Sequence, residues 1–254
     1  MAILRSEAFV LGRTPFKESS LIVGIFTRSD GVVRAVAKGG RRPKSPFSGV
    51  LEPFNRVEAE LSAKEGRDLW TLRGVDLLEG SLDLYGEWSR AAVLYGALEV
   101  LDRGLPEQDP DERTFRLVQT LLDGLRTGTS PDAAWVYFLL WFLRIHGLMS
   151  TPDRCGACGG ALGEGNLQFS PSAGGWVCGG CTDDGEGTAI LCPEGRSLMA
   201  AFRGSALPDL RDIRAGQRAL KNLKNVVYLA VTAFLGRPLG GAAALERLYG
   251  RNSR

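Results

Sequence analysis

Two cysteine pairs, Cys155-Gly-Ala-Cys158 and Cys178-Gly-Gly-Cys181, stand nineteen residues apart in the chain. Two residues between paired cysteines let both thiolates turn onto one ion, and two such knuckles complete a tetrahedral sulfur shell. The spacing therefore reads as a site for one zinc ion, held by Cys155, Cys158, Cys178 and Cys181. Such a shell leaves no open position, which argues for a structural ion and against a catalytic one. Disulfides and unligated thiols are the alternatives that spacing alone leaves. Glycines inside and just after the knuckles, such as Gly156 and Gly179, permit the tight turns that bring backbone amides to thiolate sulfur.

The first eleven residues carry no basic stretch followed by an apolar core, so no export signal is expected and the cytoplasm, where thiols stay reduced, is the expected compartment. The longest unbroken apolar run, residues 133–143, is closed by Arg144. It falls well short of the roughly 20 residues that span a bilayer. No membrane partner is expected, and the run reads as a buried helix.

The formal net charge of +2 conceals an uneven distribution. Between residues 28 and 44 stand Arg28, Arg34, Lys38, Arg41, Arg42 and Lys44 against Asp30 alone. The segment 196–254 is again rich in Arg and Lys, with only Asp209, Asp212 and Glu246 opposing them. Acidic residues gather in the middle of the chain. A near-neutral total that arises by cancellation leaves room for two local polyanion surfaces.

Residues 1–79 read as short strands. Residues 19–27 are apolar and β-branched, Asp30-Gly31 is a hairpin turn, and residues 31–37 continue on its far side. Residues 55–61 alternate, a further strand passes through Leu69, Trp70 and Leu72, and residues 7–11 supply one in front. Five strands laid flat would expose two edges, so a small barrel is the economical arrangement. Between the third and fourth strands lies a long connection carrying Lys38, Gly39, Gly40, Arg41, Arg42, Pro43 and Lys44. Glycines free its backbone to follow a ligand, and its cations supply the charge that dominates nucleic-acid affinity. The bland alternative is a solvated basic loop. Phe16 and Phe47 flank such loops and could either stack on bases or plug the end of the barrel.

After Gly80 the period becomes helical. Leu84, Trp88, Ala91, Tyr95, Leu98 and Leu101 recur on one face, then Phe115, Val118, Leu122 and Leu125. A third helix follows Ser130-Pro131 and runs to about His146, with an apolar surface nearly all round. His146 fits packing or the helix C-terminal dipole better than metal ligation, because four thiolates already fill the shell. Residues 151–191 show little helical or strand pattern, as expected of a module held by metal. Asp153, Glu164, Asp183, Asp184 and Glu186 surround the cysteines, so the module should prop its neighbours and keep away from phosphate. Cys192 lies outside both pairs and reads as a small buried hydrophobe. Helical pattern returns over 194–202 and 216–235, the latter with Leu220, Leu223, Val227, Val231 and Phe234 on one face. Arg214, Arg218, Lys221 and Lys224 supply a basic second set there.

The run Pro15-Phe16-Lys17-Glu18-Ser19-Ser20-Leu21-Ile22-Val23, then Phe26-Thr27-Arg28 and Gly31, then Ala37-Lys38-Gly39-Gly40-Arg41-Arg42-Pro43-Lys44-Ser45, resembles the N-terminal signature of the bacterial recombination-repair family RecO. The order helices, two CxxC pairs, helices is similar to the rest of that family. The resemblance implies an α+β chain: a five-stranded OB-fold barrel over 1–80, a helical domain over 81–150 and 193–254, and a four-cysteine zinc module inserted over 151–192. It also implies binding to single- and double-stranded DNA, annealing of complementary strands, and partnership with RecR and the C-terminal tail of single-stranded DNA-binding protein in loading RecA. Nucleoid association during repair would accompany a cytoplasmic location.

The expected function is thus a non-enzymatic DNA-binding mediator, with Lys38, Arg41, Arg42 and Lys44 as primary contacts and Arg34, Arg13 and Lys17 next to them. A protein-interaction scaffold whose helical domain receives partner tails is the alternative. A zinc enzyme fits poorly. A nucleotide deaminase needs an open water site and a Glu within HxE, whereas His146 is followed by Gly147 and Leu148. No phosphate-cradling P-loop is present either.

Overall fold

The computed structural model describes residues 3–63, 69–182, 187–205 and 216–240. Strands β1 (Ile3–Phe16), β2 (Ser20–Thr27), β3 (Gly31–Ala37), β4 (Arg56–Ser62) and β5 (Trp70–Glu79) close into a barrel in the order β1-β2-β3-β5-β4. All neighbours are antiparallel except β3 and β5, which run parallel over Ala35–Ala37 and Trp70–Leu72. This is the five-stranded OB-type barrel that the strand pattern and the resemblance predicted. Closure matters because it leaves no long unpaired edge.

Both outer strands are longer than their alternation suggested. β1 serves two partners, pairing with β4 over residues 3–9 and with β2 over residues 8–16, and its register shifts between Val10 and Gly12. A bulge at that point turns the strand from one partner to the other. The barrel interior is filled by alternate residues, among them Val10, Leu21, Val23, Ile25, Val33, Ala35, Val57, Leu61 and Leu72. Phe47, from the connection between β3 and β4, closes this core and is 5% exposed, so it is the plug. Phe16 stays half-buried, with the Lys17 ammonium 5.3 Å from its ring centre.

By compactness the described residues form two units, meeting after Phe115. The first contains the barrel, a 3-10 turn (Leu82–Gly86) and helix α1 (Trp88–Gly104). The change from strand to helix at residue 80 therefore precedes the division by compactness. Three kinds of contact explain why. Arg34 of β3 reaches Asp102 and Glu107, and Arg28 forks onto Glu112 while also meeting Glu7. Phe115 packs its ring 4.8 Å from Phe9 and 5.6 Å from Phe26. Finally, the segment after α1 pairs with the start of β3, where the Gln108 amide donates to the Val32 carbonyl at 2.9 Å.

The second unit runs from Arg116 through the rest of helix α2 (Glu112–Arg126), then α3 (Pro131–Ile145), α4 (Pro193–Gly204) and α5 (Gln217–Leu235). Ser130 caps α3 by accepting from the Ala133 amide, and Pro131 occupies the first turn. Trp135, Phe138, Leu139, Phe142 and Leu143 of α3 are all buried, as its all-round apolar pattern predicted. Trp141 donates its indole N–H to the Phe202 carbonyl of α4, and Trp135 donates to the Tyr228 hydroxyl of α5. On α5 the buried face is Ala219, Leu223, Val226, Val227, Ala230 and Val231; Phe234, expected on it, is 39% exposed.

Residues 151–191, read from sequence as having little regular structure, contain a three-stranded antiparallel sheet. Its strands are β6 (Leu167–Ser170), β7 (Gly175–Val177) and β8 (Ala189–Leu191), in the order β7-β6-β8. They are too short to show a period: strands of three and four residues give at most two repeats of the alternation, even though Phe169 and Trp176 pair across β6 and β7 on one buried face. Among the described residues no helix is long and apolar enough to cross a membrane.

Candidate metal centre and nucleic-acid surface

The four cysteines converge. Their Sγ atoms all lie within 4.8 Å of one another, and Cys158 and Cys178 are 3.8 Å apart. A tetrahedron with metal–sulfur bonds of about 2.3 Å has edges of about 3.8 Å, so the set has the dimensions of a metal shell. All five cysteines of the chain are free of disulfides. The first knuckle is shaped by the Cys155 amide, which donates to the Gly160 carbonyl at 2.8 Å, and by Gly159 at φ +72°. Gly156 donates to the Trp176 carbonyl at 2.7 Å, and a Cβ there would sit 3.0 Å from the Ala173 carbonyl oxygen. Glycine at this position is what allows the knuckle to lie against the β6–β7 turn.

The electrostatics suit a thiolate ligand. The Cys178 amide donates to Cys155 Sγ at 3.4 Å, and backbone N–H groups of Cys158 and Cys178 draw the Cys155 thiol down to about 6. Cys181 is pushed up to about 12 because its thiol can donate to the sulfurs of Cys178, Cys158 and Cys155, which favours its protonated form. The four cysteines are thus positioned to hold one metal ion. His146 takes no part in the cluster; it caps α3, with its ring centre 4.4 Å from that of Phe142. Cys192, expected to be buried, is half-buried at the start of α4, where its amide donates to Asn222 Oδ1 at 2.9 Å.

The basic residues separate into compensated and uncompensated sets. Lys38, Arg41, Arg42 and Lys44 are exposed on the connection between β3 and β4, which winds through successive tight turns. Gly39 takes φ +73°, and a Cβ on Gly40 would fall 2.9 Å from Leu21 Cδ1. Gly39 thus supplies the left-handed residue of the turn that presents the cations, and Gly40 lets the loop lie against Leu21. Arg41 anchors this loop to the β1–β2 turn: its amide donates to the Ser19 carbonyl, and its guanidinium donates to the Lys17 and Glu18 carbonyls at 3.2 Å. Lys17, at φ +53°, therefore belongs to the same end of the barrel. Among the described residues none of these five cations forms a salt bridge, and Glu18 is the acidic residue of that turn.

Arg13 and Arg34 differ. Arg13 pairs with Glu52 at 2.7 Å, and Arg34 is held by Asp102 and by Glu107 at 3.2 Å. Burial alone would lower the Arg34 pKa, but the two carboxylates more than offset it and the guanidinium is held above its ordinary value. In the second set, Arg218 and Lys221 are exposed on α5, whereas Lys224 sits 3.5 Å from Asp132 and 5.5 Å above the Tyr228 ring. Arg214 lies outside the described residues.

One positioning residue carries no charge and was not singled out in the sequence. Asn55, 3% exposed, donates its amide to the carbonyls of Gly49 and Val50 and accepts from the Ser81 amide and hydroxyl. It ties the far end of the basic loop to the end of β5. An asparagine closing a long loop before a strand is a turn-forming signal that sequence reading could have used.

The comparisons with known proteins agree over most of the chain. A family model described as "Recombination protein O N terminal" matches residues 1–81, and one described as "Recombination protein O C terminal" matches residues 86–242. The chain is 32% identical over 247 residues to a protein of Anaeromyxobacter sp. (strain K), covering 94% of this chain and 92% of that one. It is 32% identical over 248 residues to one of Geobacter metallireducens, covering 98% and 99%, and 33% identical over 247 residues to one of Koribacter versatilis, covering 96% and 98%. Each of these relatives is named DNA repair protein RecO. With its barrel, its helices and its four-cysteine cluster in the expected order, the chain belongs to the RecO family of DNA repair proteins.

Proposed function

We propose that the chain is a non-enzymatic recombination mediator that binds single- and double-stranded DNA through the barrel, anneals complementary strands and works with RecR and single-stranded DNA-binding protein to load RecA. The observation that carries this reading is the group of uncompensated cations: Lys38, Arg41, Arg42 and Lys44 on a loop fixed by Asn55 and Arg41, with Lys17 on the β1–β2 turn that Arg41 ties to it. Cations that are not already paired release counterions when phosphate replaces water, which is the main source of nucleic-acid affinity. Arg218 and Lys221 on α5 offer a second basic patch. Two patches let a protein hold two strands, which annealing requires.

The ion is zinc in this reading, because four thiolates in a closed tetrahedron select it over oxygen-loving cations. Its role is to hold residues 151–192 together as a module, with 1–80 as the DNA-binding domain and 81–150 with 193–254 as the helical domain. The protein acts in the cytoplasm, at the nucleoid during repair.

The test is the salt dependence of binding to a fluorescent single strand, for the natural protein and for a variant with Lys38, Arg41, Arg42 and Lys44 changed to Glu. A steep slope that flattens in the variant supports the barrel surface; equal binding by both removes it.

A second reading, the partner scaffold, has one observation in its favour. In the second unit a cleft of about 320 Å³ is lined by Leu148, Phe169, Pro171, Ala230 and Phe234, and it would take the apolar end of an acidic partner tail. A tail peptide that binds the full chain and is lost in Phe234→Asp supports it; a peptide that binds both proteins equally, or neither, removes it.

A further inference from the structure

A second cleft of about 320 Å³ lies within the first unit, on the outer face of β1 and β2 beneath α1. Its floor is bare backbone. Gly12 and Gly24 are register partners across the two strands, flanked on the same outward face by Thr14 and Ile22, while Val23 points into the barrel. A Cβ on Gly24 would lie 2.5 Å from the Arg34 guanidinium, so that group rests on the glycine floor. A Cβ on Gly12 would meet nothing within 4 Å, so the space above Gly12 is open. Leu98, Glu99 and Asp102 of α1 form the opposite wall.

The composition of the cleft selects its occupant. The lining charges cancel: Arg34 is already bound by Asp102 and Glu107, Arg13 by Glu52, and Glu99 by Arg103. A phosphate would find carboxylates here and no free cation. A neutral planar group fits better, with its faces against Leu98, Ile22 and the glycine backbone and its edge at the polar rim. Carboxylates accept several hydrogen bonds, so Asp102 and Glu99 can receive the amino group of a base while remaining paired. The volume is at the small end for ligand sites and suits one ring system. The cleft also runs into the basic end of the barrel, since β1 continues from Gly12 through Thr14 and Phe16 to Lys17, beside Arg41.

We propose that this cleft is a pocket for one unpaired nucleobase, which gives the barrel a preference for single strands over duplex and, among bases, for those bearing an amino group. The inference rests on the DNA-binding reading above. In a duplex the amino edges are already paired and the faces are stacked, so only an unstacked base can enter.

Gly12→Leu is the direct test, because a Cβ at Gly12 meets nothing within 4 Å and the rest of the side chain extends into the cleft. Binding is measured with labelled dC and dT oligomers and with a duplex. The natural protein is expected to prefer dC to dT, and Gly12→Leu to lose about tenfold in dC affinity, as expected for one base contact, with duplex affinity unchanged. Equal losses for dC and duplex, or no loss, overturn the pocket while leaving the DNA-binding reading intact. If the natural protein binds neither strand nor duplex, both fall together. Should the variant not fold, deoxycytidine is titrated into the natural full-length protein labelled at its methyl groups. Shifts at Leu98 and Ile22 support the pocket, and their absence overturns it.

Discussion

Arg34 on β3 donates to the carboxylate of Asp102 on α1, and Glu107 takes a second edge of the same guanidinium at 3.2 Å. A residue that its sequence neighbours mark as part of a basic surface is thereby spent on joining helix to barrel. Arg34→Ala is expected to leave the salt slope of single-strand binding unchanged while lowering the melting temperature. Replacing Lys38, Arg41, Arg42 and Lys44 with Ala is expected to flatten that slope by about 3, since each phosphate contact on a single strand contributes about 0.7. A slope that falls with Arg34→Ala would return this residue to the contact set.

Metal removal should act on folding first. At free metal a thousandfold above its dissociation constant, an ion that binds only the folded state contributes about 4 kcal/mol. Cys155→Ser and Cys178→Ser are each expected to abolish the single bound ion per chain and to lower the melting temperature by several degrees, as is strong chelation. Elemental analysis with calorimetry measures both. A metal-free variant of undiminished stability would contradict a structural role.

Asn55→Ala strips the carbonyls of Gly49 and Val50 and the Ser81 amide of their buried partner. Buried polar groups left unsatisfied cost about 1–3 kcal/mol. The basic loop should loosen as well, so the variant is expected to lose stability in urea and to bind a single strand more weakly at low salt. Unchanged urea midpoints would show that water replaces the amide.

Gly31 combines φ +66° with a Cβ position 2.1 Å from the Asp109 carbonyl oxygen. Neither the turn nor the neighbouring backbone can absorb a methyl group there. Gly31→Ala is expected to destabilise the first unit by more than about 2 kcal/mol, above the usual cost of alanine in a left-handed turn. Thermal unfolding measures it, and a loss below about 1 kcal/mol would mean that the segment around Asp109 moves aside.

Much of this was legible in the sequence, because its signals are local. The Asp30-Gly31 turn, the alternation of 55–61 and the Ser130-Pro131 helix start each encode their own element, and the CxxC spacing encodes the cluster. What escaped is set by partners far along the chain. That Arg34 meets Asp102, Arg13 meets Glu52 and Lys224 meets Asp132 follows from packing, and charge counting along the chain cannot show it. The β6–β7–β8 sheet escaped because strands of three and four residues carry no readable period. The far half of β5 is not legible because its last residues, including the adjacent exposed Leu77 and Leu78, break the alternation.

The segment that carries the four cysteines is fastened to two helices, α4 and α5. Arg196 of α4 donates to the carbonyls of Pro152 and Gly163, and Asn222 of α5 holds the Ile190 carbonyl and the Cys192 amide. With its entry and exit held by side chains of α4 and α5, and not by the four clustered cysteines, the segment keeps both ends in place when the ion is lost, so that loss should loosen its interior first.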